Sequence, residues 1–120
     1  MENHKLSRVR PSLIFSGNRI TVGDRSWTVP HAVRDARRIA DQIVVIYDYM
    51  SGTKDAAFHN VEAFDAAGRN LWTAENPGLG ATDAYVEFMS EDPLIIWNFA
   101  CFQCTIDPRT GKLLRAVLTK

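Results

Sequence analysis

A chain of 120 residues makes one domain, long enough to bury roughly two-thirds of its unfolded surface in a single core. Fourteen basic residues balance fourteen acidic ones, so the chain lacks the basic excess that a nucleic-acid binder needs. No apolar run approaches the ~18–20 residues of a membrane span, and Met1–Gly17, charged throughout with only Leu13-Ile14-Phe15 apolar, is no secretory signal.

Met1–Pro11 is polar and basic and reads as a loose arm, leaving 12–120 as a single domain. Leu13–Ser16 and Ile20–Val22 read as short strands joined at Gly17-Asn18, a dipeptide suited to a primed hairpin turn. Gly23-Asp24 leads into Ser26–Val29, which Pro30 ends. The first thirty residues therefore read as a three-stranded meander. Over 31–42, Val33, Ala36, Ile39, Ala40 and Ile43 have helical spacing, yet no good N-cap precedes them. The segment also runs without a stop into Ile43–Tyr47, an apolar run fit for a buried strand. We read Asp35–Ala40 as a strand turning at Asp41-Gln42, with a helix as the alternative.

Asp48–His59 is a long connection, and loops of that length are uncommon unless functional or mobile. Val61–Phe64 and Asn70–Thr73 then form a hairpin across Asp65-Ala66-Ala67-Gly68, in which the carboxylate accepts backbone N–H bonds and Gly68 closes the turn. Glu75–Thr82, with Pro77, Gly78 and Gly80, is a second long loop. Ala84–Met89 alternates as a strand. Glu91-Asp92-Pro93 turns into Leu94–Trp97, apolar on both faces and so expected at the centre beside Ile43–Tyr47. Asn98–Cys101 turns again, and Phe102–Ile106 pairs with Leu113–Leu118 across Asp107–Gly111. About ten short strands with turns every ~8–12 residues mean an all-β fold of antiparallel meanders.

The two hairpins share strand, Asp, turn, Gly, basic residue and strand. This pattern resembles the repeat of quinoprotein-type (PQQ-like) β-propellers, Ala-x-Asp-x-x-Thr-Gly-Lys followed by a docking Trp. Ala63, Phe64, Asp65, Gly68 and Trp72 match it with the Asp-to-Gly spacing one residue short. Asp107, Thr110, Gly111 and Lys112 match in full spacing, with Arg115 where the Trp would stand. The resemblance covers about a third of the chain, is similar to hairpins that end small bacterial proteins of unknown function, and implies meanders without any cofactor. A propeller needs at least four blades of roughly 40 residues each. The chain is too short for that, so the expected fold is a two-layer sandwich or an incomplete propeller-like barrel, with a homodimer shielding its open edges.

Candidate chemistry is sparse. Cys101-Phe102-Gln103-Cys104 spells C-x-x-C, but on a strand positions i and i+3 point to opposite faces, so a structural role with Cys104 in the core is the better reading. The redox alternative needs the Asn98–Cys101 turn to fold the sulfurs together. With two cysteines and no signal, the default compartment is a reducing cytoplasm. His59 with Asp48, Asp55 and Glu62 around the long loop is the one ligand or acid–base constellation, although no metal-ligand spacing supports it. His31 reads as a turn residue. Trp27, Trp72 and Trp97 read as core, with a ligand groove as the alternative. The Arg34/Arg37/Arg38 cluster is interleaved with Asp35 and Asp41. No G-x-S-x-G elbow or phosphate-cradling glycine loop exists. The sequence thus points to a non-catalytic interaction protein acting through a sheet edge or the 48–59 and 75–82 loops, on a protein or small ligand. The rival is a small-ligand or metal-dependent enzyme using His59 and the nearby carboxylates.

Overall fold

The computed structural model of the protein describes residues 10–52 and 55–119, and over them the chain forms eleven strands in three antiparallel sheets. The first sheet is β1 (Leu13–Ser16), β2 (Arg19–Val22) and β3 (Arg25–Thr28). The second is β4 (Val33–Ile39), β5 (Gln42–Tyr47), β6 (Val61–Phe64) and β7 (Asn70–Thr73). The third is β8 (Tyr85–Glu91), β9 (Leu94–Asn98), β10 (Phe102–Ile106) and β11 (Leu113–Leu118). Spatial order equals sequence order in each, so every sheet is a hairpin-linked meander, and none closes into a barrel. The all-β meander sandwich expected from the sequence is what forms. The sheets stack in three layers, because the N-terminal meander covers the far face of the second sheet.

β5 shows why. Its Val44 and Ile46 enter one core with Val61, Ala63, Leu94, Ile96 and Ile106, between the second and third sheets. Its Ile43, Val45 and Tyr47 enter another with Ile20, Val22 and Phe64, between the first and second. A strand with side-chain period two and apolar residues throughout feeds both faces at once. β4 takes the strand reading: it pairs along its length with β5, and Ala40, at φ 55, begins the turn that a continuing helix would have erased. β9 differs from expectation. It is interior to its sheet, pairing with β8 and β10, but only Leu94, Ile96 and Asn98 are buried. Ile95 and Trp97 stay half-exposed on an outer face that no further layer of the described residues covers.

The layers are keyed by indoles. Trp72 of β7 lies on Gly111 in the β10–β11 turn, so close that a Cβ there would sit 2.6 Å from its ring. Its indole Nε1 donates to the Pro108 carbonyl at 3.0 Å, and the Gln42 amide donates to the same oxygen. Trp27 of β3 repeats the contact on Gly68 in the β6–β7 turn, where a Cβ would sit 2.8 Å from the ring. That turn is one residue shorter, and the buried Trp27 indole N–H finds no acceptor among the described residues. Gly23, in the β2–β3 turn, has Pro11 against it. The arm expected over 1–11 therefore ends in an anchored stretch: Arg38 donates to the Pro11 carbonyl and Arg10 to that of Ala40, while 1–9 lie outside the described residues.

Candidate functional site

The two long loops meet. Tyr49, Met50 and Gly52 of the first, Ala81 and Thr82 at the end of the second with Ala84 just beyond it, and Phe99 in the β9–β10 turn line a cleft of about 350 Å³, within the size range of small-molecule and side-chain pockets. Its walls are Tyr49, Met50, Gly52, Ala81, Thr82, Ala84 and Phe99. Tyr49 stacks on Phe99 with ring centroids 5.3 Å apart, and the Arg34 guanidinium sits 5.7 Å from the Tyr49 centroid. Met50 is 70% exposed and Phe99 46%. Two large apolar side chains thus stand open around one concavity, the kind of patch that ligand-binding grooves present.

One buried carboxylate fixes the walls. Asp83, fully buried, accepts from the Asn98 amide at 2.7 Å and the Asn76 amide at 3.0 Å through Oδ1. Through Oδ2 it accepts from the backbone N–H groups of Gly78 and Leu79, at 2.7 and 2.8 Å. The charge is thus taken up by four donors, which is how a carboxylate survives burial without a cation. Asp83 also accepts through its carbonyl from the Phe58 N–H, at 3.0 Å, and Phe99 donates its N–H to the Ala84 carbonyl at 2.8 Å. Both loops and the β9–β10 turn are therefore tied to one point. Asn60, also fully buried, staples the second sheet to the third: its amide donates to the Tyr47 and Tyr85 carbonyls at 2.9 and 2.7 Å, and its oxygen accepts from the Tyr85 N–H. Pre-ordering of this kind lowers the entropic cost of binding.

The constellation anticipated around the first loop does not gather. Asp48 caps the short 3-10 turn Tyr49–Ser51, accepting from the Met50 N–H at 2.9 Å. Glu62 accepts from the Tyr47 hydroxyl at 2.5 Å and from the Thr73 hydroxyl at 2.9 Å. Burial, and then this carboxylate neighbour, push the Tyr47 phenol upward. His59 and Asp55 are exposed, and among the described residues no three His, Cys, Asp or Glu side chains group to hold a metal. The C-x-x-C pair stays free and separate in role. Cys101 is exposed in the β9–β10 turn at φ 73, whereas Cys104 is buried in the core with its thiol pushed by that burial up to about 11. Trp97 borders a shallow depression with Glu87, Met89, Gln103 and Thr119 on the outer face of the third sheet.

What sequence reasoning missed was Asp83, Asn98 and Phe99. Nothing local marks them; their roles depend on partners far along the chain. A signal for the layer contacts was present: Gly23 and Trp27 have the same four-residue spacing as Gly68 and Trp72. Residues 11–118 match a family described as Domain of unknown function (DUF7957). Comparison with curated proteins and with solved structures returned no match.

Proposed function

As the chain belongs to that domain family of unknown function, we propose from its own surface that it is a non-catalytic interaction protein which takes an apolar side chain of a partner into the Tyr49–Phe99 cleft. The observation carrying this is the lining itself: two stacked aromatic rings and an exposed methionine, with no carboxylate, imidazole or amine among the described residues of the walls. Aromatics and Met are the side chains that anchor protein interfaces, and they bind by area and shape. General acid–base work needs a titratable pair facing the substrate, which these walls do not supply. A reducing cytoplasm is the compartment this reading assumes, and two unpaired cysteines support it. Among the described residues no helix is long and apolar enough to cross a membrane.

We further propose kinship with the quinoprotein-type repeat at the level of the hairpin. The support is the indole of one meander seated on the turn glycine of the next, twice over. No quinone site is implied.

The test is selection of short peptides against the wild-type protein, followed by NMR titration. Binders should shift the resonances of Tyr49, Met50 and Phe99, and Met50→Glu should abolish binding while leaving the dispersion of the spectrum unchanged. Peptides that bind Met50→Glu as tightly as the wild type, or that shift only residues around His59, would overturn the reading.

A further inference from the structure

We propose that a second copy of the chain pairs along the free edge of β11, joining two third sheets into one eight-stranded sheet across a two-fold axis at Ala116. This rests on the strand edge and is independent of the cleft. Among the described residues β11 pairs with β10 alone. It reads Leu-Leu-Arg-Ala-Val-Leu, six residues without proline and with one charge. Natural edges are protected by charges, prolines or shortness. The long edge strands β4 and β8 follow that rule, carrying Arg34, Arg37 and Arg38 in one and Glu87 and Glu91 in the other. β11 does not. Leu114, Val117 and Leu118 are 63, 40 and 55% exposed.

Among the described residues the edge is open only where pairing would occur. At its start the chain covers itself: Glu75 donates its N–H to the Gly111 carbonyl and accepts from the Leu113 N–H through its carboxylate, at 2.8 and 2.9 Å. At its end Thr119 donates its N–H to the Cys101 carbonyl, towards β10. Backbone groups alternate sides along a strand, so the N–H groups of Val117 and Thr119 face β10 while those of Ala116 and Leu118 face outward. An outward Ala116 is suited to lie on a two-fold axis. There it exchanges both backbone bonds with its own counterpart, and its methyl group leaves the two strands free to reach pairing distance.

The same register sets Arg115 against the copy's Val117, and brings the bulged Leu114 beside the copy's Leu118. Every exposed aliphatic residue of the strand thereby gains an aliphatic stem or side chain as neighbour. An isologous contact needs this self-complementarity, with residue i meeting j and j meeting i. A foreign strand would have to supply it by coincidence.

The experiment is sedimentation over a concentration series, with disulfide trapping in a Cys101→Ser background. The expected mass is two chains. Leu114→Lys with Leu118→Lys, both at exposed positions, should weaken the dimer by about tenfold or more with an unchanged circular-dichroism spectrum. Paired Ala116 Cα atoms would lie about 5.5 Å apart, within disulfide reach, so Ala116→Cys should cross-link on oxidation faster than Arg115→Cys. A single-chain mass at every concentration would overturn the proposal. So would a dimer that survives the double lysine change, or cross-linking equally fast at 115 and 116.

Discussion

Replacing Gly111 by alanine tests the indole keying directly. Two costs add. The residue has φ 78, and an L side chain in the left-handed region costs about 1–2 kcal/mol. The new Cβ would also lie 2.6 Å from the Trp72 ring and 3.1 Å from the Thr73 carbonyl, so the indole must move by roughly 1 Å to reach ordinary contact. Moving it forfeits the bond to Pro108, about 1 kcal/mol, and loosens packing, a further 1 kcal/mol or so. The sum is about 3–4 kcal/mol, a large share of the ~5–15 kcal/mol by which domains are stable. Gly78→Ala is the internal control. Its φ is 82, nothing lies within 4 Å of its Cβ position, and only the backbone cost applies. Urea unfolding followed by circular dichroism measures both. Expected is a gap of about 2 kcal/mol between the two variants. Equal losses, within about 0.5 kcal/mol, would refute the view that Trp72 is seated on this turn.

Trp72→Phe should cost about 1 kcal/mol more than Trp27→Phe, since only Trp72 has an acceptor to lose, and the same denaturation curves report it. Asp83→Ala should destabilise by about 3–4 kcal/mol by stranding four donors, and Asp83→Asn should recover little, because an amide presents N–H groups to donors; thermal melts decide this. Burial raises the Cys104 thiol from 9.0 to about 11, so the unfolded chain releases this proton first. The resulting stability is intact below about pH 9 and lost as pH rises to about 11, at about 1.4 kcal/mol per pH unit for this group. Cys104→Ala should flatten that slope in pH-dependent melts. A thiol reagent at neutral pH should label Cys101 in the folded protein and Cys104 only after unfolding.

The strands were legible because alternation and turn dipeptides are local: Gly17-Asn18, Asp65–Gly68 and Asp107–Gly111 each mark their hairpin. Even β4 could be read, from the absence of a helix stop before Ile43. The environment of β9 was not, since apolar residues on both faces of a strand do not say whether a second layer exists to cover them. The surroundings of the candidate site were not legible for a related reason. Carboxylates near His59 in sequence were consumed by neighbours, Asp48 by a cap and Glu62 by Tyr47 and Thr73 across the sheet. Tyr49 and Phe99 are brought together from opposite halves of the chain, through a network centred on an Asp that looks like any loop residue.

The indole contact has a direction: the first and second meanders each send a tryptophan forward, and the second and third each offer a turn glycine backward. Such a joint can be repeated indefinitely, as bricks with one stud and one socket can. Here the first socket, at Gly23, holds Pro11, and the last stud position is Arg115, a charged side chain that would be costly to bury on a glycine turn. Neither end of the described stack therefore repeats the indole-on-glycine joint. Arg115→Trp would leave the chain with an unmated stud, and lengthening the stack by one more meander would begin at that substitution.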